Sequence, residues 1–394
     1  MVLIMGKSRV AMVGAGMTPF GRLDGKDLLD LLCEASMKAM ESANAFDKSF
    51  DAIYVGNMAG GELCDMTGVA SVLSDRLNMI PAGADRIENG PASGGSALRA
   101  GFAAIKGGLA NLVLVVGGEK MTHVSGSRVT STVASLTHET AEKIYGVTLP
   151  SFAGMLTRLY LEQYKYKMAD ITLAAVKNHR NGVNNPYAHF QKEITLEKAL
   201  TAPIIADPLR LYDCCPVSDG AAAIVLTAES IAKEFSPEPV YITGSGQATD
   251  LQILSERENP LFIGAVAQSA KKAFDMAQIS PKDINVAELH DAFSILEILQ
   301  SESVGFFAPG EGPKALARGD TEIDGICPVN PSGGLKARGH PWGATGIAQA
   351  VEIFWQLRGE ASKRQVPNEP KYGLSVNFGA FGNNVLTHIY ERGG

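Results

Sequence analysis

Cysteine is scarce in this chain, with five in 394 residues, at positions 33, 64, 214, 215 and 327. They form no CxxC pair and none of the spacings of a zinc site or a disulfide framework, so no metal is expected in the chain and the expected compartment is the cytosol. An excess of positive charge is lacking too. The 35 Lys plus Arg meet 42 Asp plus Glu, a formal net charge of −7, which offers nucleic acid or an anionic membrane no general attraction. Long apolar runs are absent as well. Lys7 and Arg9 interrupt the apolar opening, which reads neither as a signal peptide nor as a membrane span. What is abundant is glycine, 42 in all, clustered where strands end and a backbone must turn tightly or approach a ligand.

Apolar runs alternate with helical patterns in the manner of an α/β sheet covered on both faces. The first strand is expected at Arg9 to Val13, ended by Gly14-Ala15-Gly16, and an amphipathic helix at Leu28 to Ala45. Strands at Ala52 to Val55, Asp85 to Asn89 and Asn111 to Val116 follow, with a helix near Thr67 to Leu77 and a small-residue helix from Ala92. A second round begins near residue 239. Val240 to Gly246 echoes Val10 to Gly16, a helix at Ile263 to Ala277 follows, and Asn285 to His290 parallels Ala52 to Val55. Tyr372 to Asn377 and Val385 to Tyr390 read as paired strands. Two similar halves are therefore expected, at 1–235 and 236–394, with an excursion at about 120–215 whose polar residues, aromatics and turn signals suit a cover over a ligand site.

Three segments bring polar residues to the ends of apolar strands, where open α/β sheets hold their ligands. In the first, Glu288-Leu-His290-Asp291-Ala-Phe293, the histidine could position a reacting carbonyl or water; equally, Asp291 could be a helix cap beside a structural histidine. The second runs from Asn330 to Gly346 and holds five glycines between 333 and 346. Its His340, held by Pro341 at the opening of a helix, suits a general acid/base, and a phosphate-binding or merely tight loop is the alternative. The third, Asn377-Phe-Gly379-Ala-Phe-Gly382, could line a pocket with backbone amides or simply turn a hairpin. His123, His138, His179 and His189 lack metal-ligand spacing, and no GxGxxG, GxxxxGK[ST] or HExxH pattern is in place.

Together the echoing halves, the HDAF and GHPWGATG segments in that order, and the glycine turn on a penultimate strand resemble the thiolase superfamily, in particular its archaeal and sterol-carrier-type branch. Val176 to Asn181, Asn185 to His189, and Pro208 to Asp213 leading into Ser218 to Ala223 extend the resemblance along the whole chain. It implies two βαβαβαββ halves in a five-layer αβαβα body, an acyl-CoA substrate with coenzyme A at the covered site, and a homodimer or dimer of dimers. By the same resemblance His340 is the histidine that activates a thiol, and His290 helps hold an oxyanion-binding water. Asn377 and Gly379 stand where many thiolases carry a second cysteine. Ser245, Gly246, Ser332 and Gly333 are expected at the coenzyme.

The departure lies in Glu88-Asn-Gly-Pro91-Ala-Ser-Gly-Gly95. Thiolases place their nucleophilic cysteine where this chain has Pro91, because a helix N-terminus and a nearby histidine stabilise the thiolate. Proline has no nucleophile, although it suits the first position of a helix. Ser93 lies away from that position, and Cys214, Cys215 or Cys327 could substitute only by reaching the space between His290 and His340.

The leading expectation is a CoA-thioester enzyme of the acyltransferase type that makes or breaks a carbon–carbon bond without the usual cysteine. A retro-aldolase acting on a β-hydroxyacyl-CoA is the alternative, although thiolase-like aldolases look tyrosine-rich where this chain keeps both histidines. A non-catalytic CoA-binding or scaffolding subunit is the reading of a different class. The branch also implies a small zinc-ribbon and OB-fold partner, and bulky Trp342 is expected to reshape the acyl pocket.

Overall fold

A computed structural model describes residues 9–393. Its strands are β1 (Val10–Met17), β2 (Ala52–Gly56), β3 (Gly83–Ile87), β4 (Leu112–Glu119), β5 (Ile204–Ala206), β6 (Leu209–Arg210), β7 (Gly220–Ala228), β8 (Val240–Thr249), β9 (Val286–Glu288), β10 (Tyr372–Gly379) and β11 (Asn384–Arg392). β5 and β6 form a small ribbon, and the other nine make one sheet in the order β3-β2-β4-β7-β1-β8-β11-β10-β9. Antiparallel pairing of β1 with β8, Val10 opposite Ile242, joins the two halves. Outward from that seam each half runs first strand, last strand, next to last, second. Where the second half would carry a counterpart of β3, Val329 makes only an isolated parallel bridge to Ala287.

β1, β4 and β7 are buried along their whole length, as their unbroken Val, Leu, Ala and Gly content requires of strands covered on both faces. The helix Leu28–Ser42 covers β1 and β7 on one side, and Gly264–Ala277 covers β8 and β11. Between the halves lie Ser93–Lys106 and Trp342–Leu357, which pack on each other. The second of these touches β4 and β7 as well as β9 and β10, giving the helix–sheet–helix–sheet–helix layering of a thiolase-like fold. All its residues except Trp355 are buried, as expected of a helix with no aqueous face.

Glycine permits this central contact. A Cβ on Gly94 would meet Gly343 O at 2.6 Å, and one on Gly346 would meet Asn377 Oδ1 at 2.2 Å. The helix starts are thus pressed against each other and against β10. Phe354, 1% exposed, anchors the other end, and its truncation to alanine would cost about 3–5 kcal/mol.

The excursion differs from its expected polar character. It folds into the helices Gly126–Ala134, Leu149–Tyr164, Met168–Val183 and Leu196–Thr201, whose inner faces bury Val129, Phe152, Leu156 and Ile171. Thr148 and Ser151 form a reciprocal capping box at one start, with Pro150 just inside it. Among the described residues no helix is long and apolar enough to cross a membrane.

Candidate active site

The ends of the two central helices and the excursion enclose a cavity of about 600 Å³. Pro91, His290, His340, Trp342 and Phe378 line it from the core, and Val129, Leu149, His179, Phe190, Ile194 and Tyr212 from the excursion. Segments remote in sequence thus meet at one cavity.

His340 stands on the turn before the Trp342–Leu357 helix, after glycines with left-handed φ at 333, 334 and 339. Its Nδ1 lies 2.7 Å from Thr345 Oγ1, and that hydroxyl donates to Pro341 O at 2.9 Å. With the hydroxyl proton so committed, Thr345 receives the imidazole Nδ1–H. The Nε2 lone pair is left as a base.

His290 is held the opposite way. Asn377 Oδ1 accepts from Gly95 N–H at 3.1 Å, which fixes the amide's orientation, and its Nδ2 donates to Pro91 O at 3.3 Å and to His290 Nδ1 at 3.1 Å. An Nδ1 that accepts leaves Nε2 carrying the hydrogen, so His290 is a donor. The two rings meet edge to face with centroids 4.8 Å apart, and Phe378 stacks on His290 at 5.4 Å. Burial, aided by the neighbouring His340 and the Arg338 charge, holds His290 well below its ordinary pKa; burial followed by Arg338 and Lys336 brings His340 down to about 3. Both imidazoles are therefore neutral at neutral pH. One is a base and the other a hydrogen-bond donor.

A buried carboxylate at the end of β4 positions this loop. Glu119 accepts from Asn57 Nδ2, Met58 N, Ala59 N and, across the halves, Gly343 N at 3.0 Å. Burial still pushes it up to about 7. Asp291 corrects the capping alternative. The following helix, Ser294–Val304, has Phe293 at its N-cap, while Asp291 accepts from Leu335 N and Asn178 Nδ2 and so fastens the glycine loop to the excursion.

The expected coenzyme residues do not reach the cavity. Ser245 Oγ and its carbonyl accept from Arg99 inside the sheet, Gly246 packs against Ser269 O, Ser332 Oγ donates to Glu288, and Gly333 lies on Gly182. None of the four lines the cavity. Gly379 also faces away, toward Asn89, while its neighbours Phe378 and Ala380 line the wall.

Cys214 and Cys215 do line the cavity, a placement that sequence left open, whereas Cys327 does not. Both thiols are poorly suited to attack. Burial raises Cys214 to about 11 and Cys215 to about 12 despite the nearby Lys336 charge, so neither is a thiolate at neutral pH. Ser93 Oγ donates to Gly90 O and accepts from Asn89 N, and is spent on the turn. Lys192, Lys198 and Lys336 line the cavity, and no Asp or Glu does among the described residues. These lysines went unread because single lysines in a chain of net negative charge give no pattern.

Comparison with known proteins identifies the family. The family model for the thiolase N-terminal domain matches residues 10–230, and that for the thiolase C-terminal domain matches residues 246–392. The chain belongs to the thiolase family. It is 42% identical over 383 residues to acetyl-CoA acetyltransferase of Methanothermobacter thermautotrophicus, covering 97% of this chain and 99% of that one. Human sterol carrier protein 2 is 35% identical over 400 residues, covering 98% of this chain and 72% of that one. Among solved structures, an Ltp2-ChsH2(DUF35) aldolase matches with TM-score 0.82 and 23% identity over 96% of this chain and 97% of that chain. Human mitochondrial 3-ketoacyl-CoA thiolase in complex with CoA matches with TM-score 0.76 and 19% identity over 98% of both chains. At those identities the structural likeness is one of fold. The thiolase family's acyl-CoA chemistry therefore has to be derived from this chain's own residues.

Proposed function

We propose that this thiolase-family chain acts on an acyl-CoA thioester, making or breaking a carbon–carbon bond beside a carbonyl with no protein thiolate. The observation that carries this reading is the pair of neutral imidazoles with opposite tautomers on one cavity wall, beside Pro91. In the acyl-transfer direction the thiol of free CoA gives its proton to His340 Nε2, and its sulfur attacks the 3-oxo carbon. The C2–C3 bond breaks, and its electron pair becomes a thioester enolate held by His290 Nε2–H. C2 then takes the proton back from His340. A positioned donor of this kind is worth about 2.7–4 kcal/mol, and the base about 10²–10⁴-fold.

A retro-aldol reading is favoured by the un-ionised Cys214 and Cys215, since it needs neither a protein thiolate nor a second CoA. His340 removes the proton of a 3-hydroxyl group, C3 becomes a carbonyl as the C2–C3 bond breaks, and the same enolate forms. Lys192 and Lys198, exposed at the cavity, supply cations for the CoA phosphates. The exposed apolar residues Phe190, Ile205, Leu211 and Val217 beside them support a second subunit over this face, and a homodimer belongs to the same reading.

Purified protein is incubated with acetoacetyl-CoA plus CoA, and separately with a 3-hydroxyacyl-CoA. Turnover in the first assay supports acyl transfer and in the second the retro-aldol reaction. Retained CoA binding with no turnover of either would leave a binding subunit in place of an enzyme.

A further inference from the structure

The buried lysine of the cavity is unused by the reaction above. Lys336 follows the left-handed turn of Gly333 and Gly334 and is 1% exposed, yet its side chain lines the cavity. Its Nζ donates to Asp213 O at 2.5 Å and lies 5.9 Å from the Phe293 ring centroid. Among the described residues no carboxylate forms an ion pair with it, unlike the other deeply buried cations: Lys177 pairs with Glu297, Arg338 with Glu288 and Arg364 with Glu352. The buried carboxylate that feels its charge, Asp291, already accepts from Asn178 and Leu335. An ammonium group taken out of water is costly unless charge or hydrogen bonds replace its hydration. The Asp213 carbonyl replaces one of its three hydrogen bonds to water, and the rest of the wall around it, Cys214, Cys215, Ala292 and Phe293, is apolar or weakly polar.

We infer that Lys336 is a recognition site for a carboxylate on the acyl part of the substrate, so that the acyl-CoA class taken by this cavity bears an anionic substituent at its inner end. The inference rests on the acyl-CoA reading and deepens it. The charge of Lys336 also reaches His179, Cys214, Cys215 and His340, which places its field across the cavity wall. The mouth lysines Lys192 and Lys198 are exposed, so only Lys336 offers a cation screened from water, where a carboxylate–ammonium hydrogen bond is strongest.

Calorimetric titration of the full chain with matched acyl-CoA pairs tests this without requiring turnover. Succinyl-, glutaryl- and adipyl-CoA are compared with butyryl-, valeryl- and hexanoyl-CoA, which have the same carbon counts and end in methyl. At least one dicarboxylic member is expected to bind on the order of tenfold tighter than its partner, the scale of a hydrogen bond between charged groups. Lys336→Met should collapse that ratio and Lys336→Arg should retain part of it. Equal affinities in the wild type overturn the inference even if both variants misfold, and so does a ratio unchanged in Lys336→Met. If free CoA and every thioester fail to bind, the acyl-CoA reading fails and takes the inference with it, whereas binding of the alkyl series alone removes only the carboxylate site.

Discussion

The helices Ser93–Lys106 and Trp342–Leu357 hold matching places in the two halves, lie against each other and start beside one cavity, yet their starts differ in chemistry. One begins at a turn bearing His340, a base whose tautomer Thr345 sets. The other begins at Ser93 with Ala92 as its N-cap, so Pro91 sits on the turn before the helix and not at the first helical position expected of it; it offers a carbonyl to Asn377 and no reactive atom. The fold therefore specifies where chemistry occurs and the individual side chain specifies which kind. In the proposed reaction the paired sites are divided between a working group and a space-filling one.

Making the two starts alike has the largest expected effect. Pro91→Cys places a thiol beside both imidazoles and should give stoichiometric acetylation of residue 91 by acetoacetyl-CoA, detected by mass spectrometry; a folded variant that never acylates breaks the equivalence. Removing the working side comes next. His340→Asn should lower kcat by about 10²–10⁴-fold, and steady-state kinetics retaining more than a tenth of the rate would place the base elsewhere. Asn377→Ala acts through His290 and should lower kcat by less than the ~10²–10³-fold expected for deleting an oxyanion donor. KM should hardly move, so a change confined to KM argues against the positioning role.

The smallest effect is on stability. His340, His179 and His388 are lowered by burial from an ordinary 6.5 to about 3, 4 and 4. Depressed values favour the neutral native forms, so this stabilisation is present above 6.5 and is lost as pH falls toward the folded values. Each group contributes a slope of about 1.4 kcal/mol per pH unit in that window. Denaturant titrations at several pH values should show that slope reduced in His388→Gln. An unchanged slope would mean that His388 already takes up its proton in the folded chain.

Much of this contrast was legible in the sequence because it is local. His340 within its glycine run, His290 after a short strand and Pro91 before a small-residue helix are readable from spacing and from the family resemblance. The excursion was legible only in position. Its cavity wall is made by scattered residues, Val129 and Val133 from one helix, Leu149 and Pro150 from another, His179 and Lys198 from two more and Ile205 from the ribbon, which form no continuous apolar pattern. Glu119 and Lys336 were missed for a related reason, since a buried charge is defined by partners far away in sequence, Gly343 for one and Asp213 for the other. Ser245 and Ser332 were misplaced because a polar residue beside a glycine can also serve the interior, as Ser245 does within β8 with Arg99 and Ser332 does with Glu288.

Turnover by a chain whose cavity thiols are removed tests the central claim most directly. Cys214 and Cys215 are replaced together by serine, and the variant is assayed with acetoacetyl-CoA plus CoA and with a 3-hydroxyacyl-CoA against the wild type. Undiminished turnover, with no acyl adduct on the wild-type protein by mass spectrometry, is the predicted result. Loss of turnover in the folded variant, together with an acyl group on either cysteine of the wild type, would contradict catalysis without a protein thiolate.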